Sequence, residues 1–288
     1  MRKSFPFTIN LSRLMFLVIM GLASGCASVS DVANGLTNAI LNQDDPKTVE
    51  DGGPAYLILV DGLIQGSPDD AGRLLAGARL YGAYTSMFVK EQDRHTRLMN
   101  RARDYSRRAI CEEYEDFCKV IDSPFEVFQA GLKKEFTDED DVPMLHTFAV
   151  IWAGYIKANK SNWGAVADLA KVKACVQQVI DLNENYDNGS AHLYMGLLNS
   201  LLPAALGGKP ELAKKSFERA IELSKGRNLM IKVHYAERYA RLVFNEKLHN
   251  KLLRDVINAD ANAPRLTLVN TLAKQKAREL LKSGKEYF

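Results

Sequence analysis

Between Asp187 and Asn245 the chain holds three helical runs, separated by Gly207-Gly208 and by Gly226. In the middle run, Leu212, Ala213, Phe217, Ala220, Ile221 and Leu223 recur at helical spacing, so one face is apolar. Lys214, Lys215, Glu218, Arg219 and Glu222 fall on the opposite face and belong in water. The preceding run offers Leu193, Gly196, Leu197 and Ser200, where small residues let a second helix come close. A single hairpin of this kind cannot bury its own apolar face, so the chain must stack several.

Ala213, Phe217 and Ala220 stand at the small-x3-aromatic-x2-small spacing of a tetratricopeptide second helix, with Tyr194 and Gly196 at the matching first-helix positions. Val172, Val176, Val179, Ile180 and Leu182 lie 41 residues ahead of Ala213, Phe217, Ala220, Ile221 and Leu223. Ala102 and Ala109 repeat the spacing earlier, with Ser106 in place of the aromatic. No segment alternates with period two. The sequence predicts an all-α fold of stacked helical hairpins over residues 55–288, a degenerate tetratricopeptide-like α-solenoid.

Along the chain, Tyr56, Leu57, Leu59, Val60 and Leu63 predict a first apolar helix ended by Gly66-Ser67-Pro68, and Asp69 a cap for the next. Further helices are expected up to Ile110, over 122–136, 142–157, 164–183 and 247–259. Pro264 fits the first position of a last helix carrying Leu266, Val269, Ala273, Ala277, Leu280 and Leu281. The acidic run from Thr137 to Asp141 reads as a solvated loop or helix start.

Residues 1–25 read as a lipoprotein signal peptide. Arg2, Lys3 and Arg13 precede the apolar run Leu14–Leu22, and Ala23-Ser24-Gly25 leads directly to Cys26. Cys26 would then be the lipid-modified first residue. Residues 26–54 read as a flexible tether, interrupted at Gln43–Pro46 and Asp51–Pro54. The net charge of +3 resides in that signal, since 38 basic residues less these three balance 35 acidic ones. A balanced mature chain argues against nucleic acid as a partner.

Cys111 and Cys118 are two helical turns apart, about 10.5 Å of rise, too far to pair within one helix. If the helix ends near Glu115, the chain can fold back and join them as a disulfide. Cys175 lies in a helical pattern and suits a small buried position.

No catalytic pattern emerges. Gly208-Lys209 is followed by Pro210 rather than Ser or Thr, and His95, His146, His192, His234 and His249 lie in separate helices without metal-ligand spacing. No enzyme activity, metal or cofactor is expected. Pro203, inside LLNSLLPAALGG, is expected to kink its helix one turn back, near Asn199, and to widen the hairpin into a cavity. Trp152, His192, Tyr194, Asn199, Pro203, Tyr235 and Asn270 are the candidate lining of a ligand channel. Equally, Asn270 and His192 can serve only to tie helices together, and Trp152 and Tyr235 only to fill the core.

The run LPAALGGKPELAKKSFERAIELSKGRNLMIKVHYAERYARL, then LLRDVINAD, PRLTLVN and ARELL with terminal Tyr287-Phe288, resembles the TatT-like T component of tetratricopeptide-associated TRAP transporters. Gly53–Leu57 and Tyr81–Tyr84 resemble it as well. The resemblance implies a non-catalytic periplasmic lipoprotein working beside a TRAP substrate-binding protein and its permease. It implies a helical homo-oligomer, such as a trimer, with a channel for a small organic ligand, hydrophobic or acidic. Ala27 after the cysteine is not the aspartate that retains lipoproteins at the inner membrane, which points to the outer membrane. The rival expectation is a tetratricopeptide scaffold lipoprotein for envelope assembly.

Overall fold

Wherever the sequence repeats apolar residues at helical spacing, a helix forms. The computed structural model describes residues 35–206 and 208–288. The segment read as a signal peptide and Cys26 lie outside the described residues. Thirteen α-helices are described from Pro46 onward: α1 (Pro46–Gly66), α2 (Ala71–Phe88), α3 (Gln92–Glu113), α4 (Glu115–Cys118), α5 (Phe125–Glu135), α6 (Val142–Ala158) and α7 (Trp163–Ala167). They continue with α8 (Leu169–Asn183), α9 (Ser190–Asn199), α10 (Pro210–Leu223), α11 (Leu229–His234), α12 (Glu246–Asn258) and α13 (Thr267–Tyr287). A π-helical turn, Tyr235–Ala240, extends α11, and residues 35–41 are also helical. No strand occurs among the described residues.

Successive cores share helices, which is how a stack without one large centre holds together. Leu57, Val60 and Ile64 of α1 pack with α2 and α3 and reach Ile151 of α6. The other side of α6, with Leu145, Phe148 and Trp152, joins Phe117, Phe128, Phe136, Val172, Val176 and Met195 of α9. Leu193 of α9 then faces Ala213, Phe217, Tyr235, Leu253, Ala273 and Ala277. The matched triplets Val172/Val176/Val179 and Ala213/Phe217/Ala220 are all buried, as the 41-residue offset requires. Phe217 fits because Gly196 has no side chain, and a Cβ there would lie 2.9 Å from its ring. Its full burial stabilises by about 2–3 kcal/mol. Ser106, buried in place of an aromatic, donates its hydroxyl to the Arg103 carbonyl at 3.1 Å.

Four local expectations are corrected. The chain does not break at Asp51–Pro54: α1 starts behind the Asp45 cap and runs through Pro54 to Gly66. Pro54 cannot donate to the Glu50 carbonyl. That carbonyl instead accepts the Tyr84 hydroxyl at 3.2 Å, and Gly53 lies against the Tyr84 ring, so tertiary contact replaces the missing helical bond. The ordered helical body therefore begins ahead of Ala55. Residues 35–42 dock too, with Asn42 and Asn38 accepting from Arg265 at 2.6 and 2.7 Å. Asp70, not Asp69, caps α2 by accepting from the Arg73 amide. Pro264 lies in a turn, with Arg265 at φ 62°, and α13 begins only at Thr267.

The α1 stripe also divides. Leu57, Val60 and Ile64 face inward, whereas Ile58, Leu59 and Leu63 are 74%, 56% and 50% exposed. Three large apolar side chains thus form an outward patch on the first helix. Cys111 and Cys118 form a disulfide with Cα atoms 4.8 Å apart. The helix stops at Glu113, Tyr114 turns the backbone (φ −126°, ψ 70°), and α4 carries Cys118 back. No described helix is long and apolar enough to cross a membrane.

Candidate functional site

The helix α6 presents two different faces. One buries Leu145, Phe148, Trp152 and Ile156. His146 and Lys157, three turns apart, lie on the other. His146 Nε2 is 2.7 Å from Ser190 Oγ, and its ring meets those of Tyr186 and Tyr194 edge-on at 5.2 and 6.0 Å. Burial, with Arg79 adding to it, pulls the His146 imidazole down to about 4, so it is neutral near pH 7. Burial also pushes the Tyr194 phenol up to about 12.

A tight turn sets the opposite wall. Asp187, Asn188 and Gly189 have φ of 46°, 56° and 78°, three left-handed residues in succession. Gly189 is required there twice over, since a Cβ would also lie 2.7 Å from Leu223. Neighbouring protein pushes the Asp187 carboxyl up against the pull of Arg265, Ser190 and Arg79. Neighbouring protein likewise pulls the Lys157 ammonium down, with Arg238 and Lys276 adding to this and Glu237 opposing it. Arg79 of α2, His146 and Lys157 of α6, Lys276 of α13, Asp187 of the turn and Glu237 and Arg238 of the π-turn act on one another's charges, and the side they share is the interior face. Glu237 is held there by Lys276 at 3.5 Å, Arg238 at 3.6 Å and His234 at 3.8 Å. Burial works against its charge, but the His234 hydrogen bond and the Arg238 and Lys276 charges prevail and keep it at about 2.

The seven candidate lining residues do not converge. Tyr194 reaches the interior face beside His146. His192 is 3.0 Å from Glu184, which also takes Arg219 at 3.1 Å, a clasp between the 184–192 segment and α10. Asn199 accepts from Lys173 at 2.6 Å, and its carbonyl accepts from the Lys209 amide at 3.0 Å. Pro203 kinks nothing: α9 ends at Asn199, and Pro203 is exposed in the loop beyond it. The residue before a proline is driven out of the α region, and α9 stops earlier still, with Ser200 closing onto the Gly196 carbonyl. Trp152 and Tyr235 sit in separate cores; Tyr235 stacks on Phe217 at 5.3 Å and donates to Glu218 at 3.1 Å. Asn270 is fully buried and joins three backbone groups: it accepts from Leu229 N at 2.9 Å and donates to the carbonyls of Arg227 and Ala261 at 2.9 and 3.2 Å.

Residues 42–288, the whole stacked body with its interior face, match the TRAP transporter T-component family. The chain belongs to that family. Comparison with curated proteins yields no match. As a T component, the protein is an accessory of TRAP transport. The interior groups His146, Lys157, Asp187 and Glu237 were not singled out by sequence pattern. The run Asp187-Asn188-Gly189 was the available signal, because Asp, Asn and Gly are the residues that tolerate left-handed φ.

Proposed function

We propose that this T component is a lipid-anchored periplasmic protein that docks a TRAP substrate-binding protein and holds or passes a small organic ligand along its interior face. The observation that carries this reading is the charge cluster along one side of α6, where Lys157 meets Arg238, Glu237 and Lys276 and Asp187 meets Arg79 and Arg265. Such a cluster suits transient holding, because desolvated charges interact more strongly with a polar ligand than surface charges do. Tyr194 and His146 supply an aromatic and hydrogen-bonding wall. The outward apolar patch of Ile58, Leu59 and Leu63 supports assembly into a homo-oligomer, a trimer among the possibilities. Anchoring through Cys26, facing the periplasm from the outer membrane, follows from the signal-like start.

The test is affinity capture of the full chain from the envelope of its own cells, with cross-linking. Recovery of a substrate-binding protein of a TRAP system supports the reading. Recovery of cell-wall or outer-membrane assembly proteins in its place overturns it in favour of a scaffold. Globomycin treatment, which blocks lipoprotein processing, is expected to leave a larger precursor; unchanged size refutes the anchor.

A further inference from the structure

The last hairpin, α12 and α13, ends in an aromatic tip that stands outside the core. Phe244 lies in the turn before α12, 66% exposed, with φ 54°. The Asn245 amide donates to the Ala240 carbonyl at 2.8 Å and the Phe244 amide to the Arg241 carbonyl at 3.0 Å, a helix ending whose left-handed position glycine ordinarily fills. A bulky side chain there strains the backbone and leaves its ring in water. Other rings hold it in place. The Phe244 ring lies 5.8 Å from that of Tyr287 and 5.4 Å from that of Phe288, and Phe288 packs on His249 at 5.2 Å. Arg241 braces the group: Nη2 donates to the Leu280 carbonyl at 3.0 Å and to Ser283 Oγ at 2.7 Å, and its Cζ lies 5.0 Å from the centroid of the Tyr287 ring. Val243 and Tyr287 are exposed beside Phe244, so the tip is both rigid and outward.

Cations surround it. Lys247, Lys251 and Arg254 fall at i, i+4 and i+7 on one stripe of α12. Asn250, Arg254, Leu281 and Lys285 line a shallow groove between α12 and α13. Lys251 pairs with Asp255 at 3.5 Å, whereas Lys247, Arg254 and Lys285 have no ion pair among the described residues. Over 246–255 and 281–288 the cations Lys247, Lys251, Arg254, Lys282 and Lys285 meet the carboxylates Glu246, Asp255 and Glu286, five charges against three. Aromatic side chains beside unpaired lysine and arginine suit the interface of an anionic bilayer, where rings sit at headgroup depth and cations meet phosphate.

The N-terminal segment brings a bilayer near. The eight residues between Cys26 and Gly35 can span at most about 30 Å. Asn38 and Asn42 hold Arg265, at the start of α13, and the tip lies at the other end of that 21-residue helix, about 30 Å away. An anchor at Cys26 therefore keeps the last hairpin beside the membrane, and laying the hairpin along the surface brings the tip to it.

We propose that the end of the last hairpin is a second membrane contact, in which Phe244 and Tyr287 enter the interfacial region and Lys247, Arg254 and Lys285 meet the phosphates of anionic phospholipid. This rests on the anchored reading only for what brings the bilayer near.

The chain from Ala27 onward, which keeps every described residue and lacks the lipid-bearing cysteine, is sedimented with vesicles of phosphatidylglycerol or of phosphatidylcholine at lipid up to about 5 mM, the range a short tether supplies. Saturable binding to phosphatidylglycerol is expected, at least about tenfold tighter than to phosphatidylcholine. Phe244→Gly suits the left-handed backbone, so it is expected to keep the thermal midpoint while weakening vesicle binding at least about fivefold. The combined exposed changes Lys247→Gln, Arg254→Gln and Lys285→Gln are expected to cost at least about tenfold on phosphatidylglycerol alone, and they decide the matter should Phe244→Gly fail to fold. No saturable binding, equal binding to the two lipids, or parent-like binding by the folded tip variants overturns the proposal. Tip variants that bind vesicles like the parent but no longer capture the substrate-binding protein overturn it in favour of a protein partner. Unchanged size under globomycin with vesicle binding intact removes the anchor and leaves this contact standing; a processed precursor without vesicle binding removes this contact alone.

Discussion

Replacing Asn270 by alanine separates a helix staple from a channel lining. The side chain makes three hydrogen bonds, and alanine removes all of them. The Leu229 amide is the costly one: it is buried at the start of α11, where no helical carbonyl can receive it. An orphaned buried donor costs about 1–3 kcal/mol, whereas the carbonyls of Arg227 and Ala261 are partly open to water and cost about 0.5 kcal/mol each. The sum is about 2–4 kcal/mol. Urea unfolding followed by circular dichroism should show it as an earlier midpoint at unchanged slope. Hydrogen exchange should show the Leu229 amide losing protection by about 30- to 1,000-fold, at 1.4 kcal/mol per factor of ten. A loss below about 1 kcal/mol with Leu229 still protected would refute the staple. Such a result combined with weakened ligand binding would return Asn270 to the channel wall.

Three further perturbations test the packing and the interior face. Gly196→Val places a branched side chain where a Cβ already lies 2.9 Å from Phe217, and is expected to cost about 1–3 kcal/mol, read from thermal unfolding. Cys118→Ser opens the short loop to Cys111 and is expected to cost about 2 kcal/mol, with dithiothreitol producing the same shift in the parent and none in the variant. His146 titrates near 4 in the folded chain against about 6.5 unfolded, so the unfolded state binds the extra proton between those values. Its contribution is fully present above pH 6.5 and is lost as pH falls toward 4, by no more than about 3 kcal/mol; His146→Gln should flatten that part of the stability profile.

The stacked architecture was legible because it depends on local periodicity. Val172, Val176 and Val179 answer Ala213, Phe217 and Ala220 at a fixed offset, and both triplets are buried. The ties at His192 and Asn270 were legible as one of two alternatives, since a polar residue on an otherwise apolar face must find a partner. Two misreadings share a cause. Pro54 reads as a breaker and Pro203 as a kink, yet the first lies inside a helix and the second outside one. Proline removes a donor and restricts its neighbour, but whether the helix continues depends on what else satisfies the freed carbonyl. Tyr84 does so for Glu50, from 34 residues away.

By itself, the sequence determined the class of fold, the order of the helices, the repeat offset and the family, because each is carried by neighbouring residues or by a spacing along one chain. Only the tertiary structure decided which side of α1 faces outward, that Arg103 lies over Trp152 with a donor unmet, and which charges gather around Lys157 and Asp187. Those properties depend on which charges and rings arrive from other helices. Burial and electrostatic pairing act through space, and a spacing along the chain does not record them.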